Sequence, residues 1–245
     1  MRWLILFSTF LLSVLLYVDR VCISVAKDAV VSDLQFSDTQ IGWVFSAFAL
    51  GYALFQTPGG WLADHLGPRR VLTLIVTAWS IFTGLTAAVG QFATMLMVRF
   101  LFGAAEAGAF PGMSRAVFSW IPMNERGRAQ AINFSGSRIG AAVTLPVISW
   151  LIVRYGWRFT FVILMAAGIV WAVGWMLFFR DDPTSASWLG QAERDHILAT
   201  RQTTRSEGAA SGNSISITEL MASPNMPRLC VQYFASNFMF FFALT

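Results

Sequence analysis

The sequence predicts an all-α membrane protein: a six-helix bundle built as two triplets of opposite orientation, then a polar loop and the start of a seventh helix. Three observations carry this. The 245 residues are 56% hydrophobic and 12% charged, with 22 Phe and 10 Trp and a mean hydropathy of +0.60, whereas soluble domains carry about 25% charged residues. Six stretches are long enough for the roughly 20 apolar residues that a spanning helix needs. The segments around Gly67 and Gly156 also repeat each other at an offset of 89 residues.

The six stretches run over 3–26, 38–61, 71–90, 92–120, 128–153 and 158–179. The first follows Met1-Arg2, and Ser24-Val25-Ala26 resembles a signal-peptide cleavage site. Its apolar run, Trp3–Val18, is longer than a signal core and is interrupted by Asp19-Arg20, so it reads as an uncleaved helix. The second opens on "FSDTQI", with Ser37 as N-cap, Gln40 completing a capping box, and Phe36 with Ile41 as a hydrophobic staple. The third follows "GGWLADHLGPRRVL". The fourth and fifth contain Pro111 and Pro146, each expected to kink its helix. Asn124, in "PMNERGRA", reads as the cap of the fifth. After the sixth comes a Ser/Thr/Gly-rich, charged stretch that predicts a solvated loop with one short helix around Ala192–Thr200. A seventh span begins near Leu229 and meets the chain end at Thr245. The expected organisation is therefore a bundle over 1–180, an inter-bundle loop over 181–227 and a partial helix over 228–245.

Arg2, Arg69, Arg70, Arg115, Arg126, Arg128 and Arg180 fall on one side of these spans, and Lys27, Arg154 and Arg158 on the other. The positive-inside bias then places the N-terminus and the long loop in the cytoplasm, with the bundle in the cell (inner) membrane. In the repeat, "GWLADHLGPRR" aligns with "SWLIVRYGWRF": Trp61 with Trp150, Leu62 with Leu151, Gly67 with Gly156 and Arg69 with Arg158, and Gly51 also falls on Gly140. Three helices separate the copies, so the second copy is inverted in the membrane. An inverted three-plus-three repeat points to a secondary transporter.

Other function classes find little support. Cys22 and Cys230 lie far apart with no metal-ligand or redox spacing, and read as inert thiols. The net charge of +4 is not gathered into a patch that could track nucleic-acid phosphates. No nucleophile–base pair, metal cluster or phosphate loop has the required spacing, so neither an enzyme nor a cofactor is implied. His65 and His196 fall in loops and read as solvated. Gly108-x-x-x-Gly112 and Gly136-x-x-x-Gly140 read as close-packing surfaces.

The residues that demand explanation are the charges inside spans one and four: Asp19, Arg20, Arg99 and Glu106. Each costs about 2.5–3.5 kcal/mol at a helix centre, so they are expected to face an aqueous cavity and one another. Arg99 and Glu106 share a helix face about 10 Å apart. They are too far apart to pair directly, but can bracket a small solute or reach partners on helix one. Spans one and four begin the two triplets, so their charged faces are expected to meet. Arg20 and Arg99 offer rigid forks for a carboxylate. Asp19 and Glu106 can gain and lose a proton. The competing reading is a static ion-pair network that fixes packing. Tyr52 is a candidate for hydrogen bonding to substrate, or an ordinary packing tyrosine. Arg138, in "SGSRIGAA", either lines the cytoplasmic half of the cavity or extends to the membrane interface.

"GGWLADHLGPRRVL" resembles the signature loop between helices two and three of the major facilitator superfamily. That resemblance implies that Gly60 allows close helix approach and that Gly67 makes the turn. It implies further that Arg69 and Arg70 anchor the cytoplasmic surface and that Asp64 acts at a cytoplasmic gate. "YVDRVCISVA", "RFLFGAAEAGAFPG" and "WIPMNERGRAQAINFSGSRIGAA" resemble its anion:cation symporter family, which includes hexuronate, galactonate, phthalate and sialin-like carriers. The family's helix-one Asp-Arg pair falls on Asp19-Arg20, its helix-four Arg and Glu on Arg99 and Glu106, and its helix-two tyrosine on Tyr52. The resemblance implies proton-coupled symport of a sugar acid or other small carboxylate by alternating access, with Na⁺ as the alternative coupling ion. Sugar-acid members often carry Gln where this chain has Ser137, which leaves other organic acids open. Family members have twelve helices, so the chain is expected to be a fragment lacking its C-terminal half. The alternatives are a facilitator or drug exporter of the same superfamily, or a non-transporting half-protein.

Overall fold

The computed structural model describes residues 2–186, 188–200 and 222–244, and groups the chain into two compact units, 1–202 and 203–245. The first unit contains α1 (Arg2–Val25), α2 (Lys27–Leu34), α3 (Asp38–Thr86), α4 (Phe92–Glu106), α5 (Ala109–Trp120), α6 (Arg126–Tyr155), α7 (Trp157–Phe178) and α8 (Gln191–Thr200). The second contains α9 (Asn225–Leu244), where the seventh span was expected. No strand occurs among the described residues. Four stretches, Arg2–Val25, Phe92–Trp120, Met123–Tyr155 and Trp157–Phe178, are long and apolar enough to cross a membrane.

The second and third predicted spans are the two arms of α3, which reverse at one residue. Gly67 has φ 78° and ψ 153°, a conformation that excludes most side chains. The reversal is visible in the packing. Ile41 and Val44, at the start of the first arm, share a cluster with Val89, just beyond the end of the second, and with Cys22, Met95, Trp157 and Phe161. This cluster marks the far end of the bundle. The near end carries Arg2, the Gly67 turn and the α5–α6 junction, with Leu6, Val117, Ile121 and Ala129 packed beside them.

The caps follow local chemistry in part. The capping box of Ser37 and Gln40 forms as expected, and Phe36 and Ile41 are both buried. Asn124 does not cap the fifth span. It lies in a 3₁₀ turn, Met123–Glu125, and Glu125 precedes α6 without a side-chain cap. The fourth span is not one kinked helix. It breaks at Ala107–Gly108, three residues ahead of Pro111, so that Pro111 sits in the first turn of α5, where a missing N–H costs little. Pro146 stays inside a continuous α6. The sequence did not signal α2, whose buried Val30 joins the far-end cluster.

The repeat has a structural counterpart. Gly156, between α6 and α7, has φ 82° and ψ 160°, close to Gly67. Gly51 on α3 lies against the Phe100 carbonyl of α4, and its repeat mate Gly140 on α6 lies against the Val14 carbonyl of α1. The second helix of each triplet thus packs on the first helix of the other. Arg69 donates to the Met176 carbonyl near the end of α7, and its mate Arg158 donates to the Val89 carbonyl beyond α3. Each cation faces carbonyls that a helix C-terminus leaves unpaired.

The segment after α7 differs from the solvated loop expected of it. Pro183, Ala186, Leu189 and Ile197 are buried. The Trp188 ring stacks on Trp120 at 5.3 Å and on Phe178 at 4.5 Å. The backbone N–H of Arg2 donates to Glu193 of α8. The 201–221 part of the predicted loop lies outside the described residues, as does the His196 side chain.

Candidate functional site

Asp19, Arg20, Arg99 and Glu106 are 1%, 8%, 2% and 1% exposed, so none faces lipid. Helix α4, which carries Arg99 and Glu106, lies close against the first arm of α3, where a Cβ at Gly103 would run into the Phe48 backbone. Arg20 Nε donates to Glu106 Oε1 at 2.9 Å, and Nη2 donates to the same oxygen. Glu106 therefore finds its partner on α1 rather than on its own helix. The Arg20 guanidinium also lies over three rings: Tyr17 at 5.0 Å, Phe48 at 5.2 Å and Tyr52 at 4.7 Å. Such contacts contribute about 0.5–2 kcal/mol when desolvated. Tyr52 meets the cluster through its ring, from a half-buried position on α3.

Arg99 is held differently. Its guanidinium sits 5.3 Å from both the Phe102 and Phe161 rings. Its Nε and Nη2, together with Asp19 Oδ1 and Glu106 Oε2, have no hydrogen-bond partner among the described residues. A static structural network would satisfy such atoms, since a buried unpaired polar group costs about 1–3 kcal/mol. Asp19 Oδ2 accepts from Trp79 Nε1 at 3.1 Å. Two acceptors and two cations thus meet in one buried seam, with polar atoms on three of the four side chains that no described residue partners.

The structure does not bring Arg138 into this seam; it lies on the exposed face of α6. Neighbouring Ser137 is buried, near the Asn133 carbonyl. Sequence reasoning missed Trp79. The available signal was its position: tryptophans concentrate near membrane interfaces, and one in mid-span needs a partner for its N–H.

At the near end, Asp64 is exposed and lies 3.8 Å from Arg115 Nε. The Arg69 backbone N–H donates to Asp181 Oδ1 at 2.8 Å, and its guanidinium to the Met176 carbonyl at 3.0 and 2.7 Å. Asp181 was not anticipated. A Cβ on Gly67 would come within 2.9 Å of its carboxyl carbon, so a side chain there would displace Asp181 as well as strain the turn. Arg70 is exposed. The close helix approach belongs to Gly59 rather than Gly60. A Cβ on Gly59 would fall 2.6 Å from the Gly108 Cα, while one on Gly60 would make ordinary contact with Pro111 at 3.7 Å. Both glycine pairs read as packing surfaces do pack closely: Gly108 and Gly112 against Ile75 and Leu72, Gly136 and Gly140 against α1. His65 is exposed and stacks on Trp61.

Comparison with known proteins supplies the wider frame. A family model described as the Major Facilitator Superfamily matches residues 9–245. The chain is 39% identical over 196 residues to the probable sulfoacetate transporter of Cupriavidus necator, covering 80% of this chain and 46% of that protein. It is 30% identical over 236 residues to the hexuronate transporter of Bacillus subtilis, covering 96% and 53%. The chain spans about half the length of these relatives. Among solved structures, a bacterial homologue of the human lysosomal transporter Spinster, inward-facing and unoccupied, aligns with a TM-score of 0.66 and 26% identity, over 74% of this chain and 44% of that one. The proton:xylose symporter aligns with the same TM-score at 16% identity, over 82% and 50%, a likeness of fold alone.

Proposed function

Since the chain belongs to the major facilitator superfamily, we propose that it supplies half of a secondary transporter that moves a small organic anion together with protons by alternating access. The observation that carries this reading is the buried seam of α1 and α4, where Arg99 keeps two donor nitrogens unpaired beside Asp19 and a Glu106 already held by Arg20. Arg99 is suited to take the substrate carboxylate, because a guanidinium offers two parallel donors in a fixed plane. Asp19 and Glu106 are the proton-carrying groups. Arg20 exchanges between Glu106 and the anion as the site opens to either side, and Tyr52 flanks the substrate. Arg138 lines the approach from the near end. Sulfoacetate and hexuronate, named for two relatives, support a substrate among small organic acids. Na⁺ is the alternative coupling ion.

The near end is assigned to the cytoplasm, because it carries most of the arginines that flank the spans. Asp64 and Arg115, with Gly67, Arg69 and Arg70, form the cytoplasmic gate on this reading. The test uses the complete transporter that contains this half, reconstituted in proteoliposomes. Arg99→Ala abolishes uptake of a carboxylate substrate. Glu106→Gln loses proton-driven accumulation by tenfold or more and retains counterflow exchange. Intact accumulation in Glu106→Gln overturns the coupling role, and undiminished uptake in Arg99→Ala removes that arginine from the site.

A further inference from the structure

Trp79 lies in the second arm of α3, fully buried, and its indole N–H points at a carboxyl on a different helix. An indole nitrogen can only donate. The bond to Asp19 Oδ2 therefore constrains both states of that carboxyl. When Asp19 is ionised, Oδ2 accepts a charge-assisted hydrogen bond. When Asp19 is protonated, the indole favours Oδ2 as the carbonyl oxygen, because a carbonyl accepts a hydrogen bond far better than a carboxylic hydroxyl does. The proton then belongs on Oδ1, the oxygen that has no partner among the described residues.

We propose that Trp79 is the positioning residue of Asp19, fixing Oδ2 as the permanent acceptor and Oδ1 as the atom that takes and releases the proton. This rests on the reading of Asp19 as a proton carrier. Proton binding forms one O–H bond at Oδ1 with a proton from water and neutralises the carboxylate. Release breaks that bond and returns the proton to water. The charged and titratable groups facing Asp19 are Glu106 and Arg99 from α4 and Cys22 from α1 itself. None of them is hydrogen-bonded to Oδ1.

The scaffold holds the ring for this task. The repeat mate of Trp79 is Gly168, on α7. A Cβ at Gly168 would stand 3.8 Å from Trp79 Nε1 and would overlap the Ser80 hydroxyl. Where one triplet has the indole, the other has the space beside it.

The experiment is an infrared pH titration of the purified chain in lipid nanodiscs, with the proton as the probe. The protonated-carboxyl band that vanishes in Asp19→Asn belongs to Asp19. In Trp79→Phe its carbonyl frequency rises toward that of a free carboxyl, and its midpoint is displaced by about one pH unit, the tenfold change that one hydrogen bond to a charged group supplies. Trp79→Gln, which keeps an N–H donor, restores the frequency. Labelling the indole nitrogens of the unmutated chain covers the case in which Trp79→Phe does not fold. One indole N–H resonance then moves with the Asp19 band and is shifted in Asp19→Asn. An Asp19 band indifferent to Trp79→Phe, or no indole resonance that follows it, overturns the positioning role and leaves the coupling reading intact. No Asp19 protonation at any pH the fold survives overturns the coupling reading itself.

Discussion

The Arg20–Glu106 pair offers a direct measure of what the buried seam costs. Glu106 Oε1 receives two N–H groups from Arg20, while Oε2 receives none. Replacing Arg20 by Met keeps much of the stem that packs on Tyr17, Phe48 and Tyr52 but leaves a buried carboxylate without a donor. Breaking a buried pair on one side costs about 3–5 kcal/mol. At about 2–4 °C per kcal/mol for a chain of this size, the melting temperature should fall by roughly 10 °C. Glu106→Leu alone leaves the guanidinium unpaired, with a loss of similar size. Arg20→Met/Glu106→Leu removes both charges together. Replacing a buried pair with packed apolar groups is often neutral or stabilising by about 1–4 kcal/mol, so the double variant should melt at or above the parent temperature. The coupling between the two changes is then about 6 kcal/mol or more, the sum of the two single losses, against the few tenths found for independent sites. The assay is thermal unfolding of the purified chain in nanodiscs. A double variant that falls by the sum of the two singles refutes the reasoning. The same double variant built into the complete transporter in proteoliposomes is expected to be stable yet fail to accumulate substrate, which separates packing from the proposed function.

Two further outcomes follow from the geometry. Gly103→Ala drives a methyl into the Phe48 backbone and should destabilise by about 1–3 kcal/mol, whereas Gly174→Ala, with open space around it, should be neutral or slightly stabilising; equal melting temperatures for the two would deny the close α3–α4 crossing. Asp64→Asn removes a half-exposed pair that contributes about 1 kcal/mol or less. It should leave melting within a few degrees while shifting thiol labelling between the two ends of the complete transporter, and loss of substrate binding instead would contradict its gate role.

The spans were legible because lipid imposes length and hydropathy on them. The turns at Gly67 and Gly156 were legible because one conformation, repeated at a fixed offset, left the same residue types in both places. The charged seam was legible because each ionisable side chain in hydrocarbon demands a reason. What escaped reading were contacts between helices distant in sequence. Trp79 reaches Asp19 across sixty positions, and Asp181 reaches the Gly67 turn across more than a hundred. Their local sequences carry no periodic or capping signal for those bonds. The docked segment around Trp188 escaped for a different reason. Its Ser, Gly and charge content reads as solvent-exposed, while a few aromatic and aliphatic side chains decide its packing. The sequence alone does not choose for Arg138 between lining the cytoplasmic half of a cavity and extending to the membrane interface, and it lies on the exposed face of α6.

The repeat clarifies why the charges need not be symmetric. At the offset of 89, Asp19 and Arg20 map onto Gly108 and Ala109, while Arg99 and Glu106 map onto Phe10 and Tyr17. None of the four charges has a charged mate. The scaffold positions, by contrast, are matched: Gly51 with Gly140, Gly67 with Gly156, Arg69 with Arg158. Two triplets that pack by the same rules make similar contacts at either end, and on the proposed transporter reading this lets the two ends exchange those contacts at little net cost. A charge repeated in both triplets would double the desolvation penalty and place like charges in one seam. Placing an acid and a base on α1 beside a base and an acid on α4 pairs Arg20 with Glu106, and Tyr17, the uncharged mate of Glu106, supplies a ring for Arg20 instead of a second carboxylate. Symmetric glycines and asymmetric charges thus divide the work between the triplets: the glycines set the close helix crossings, and the charges meet in one buried seam.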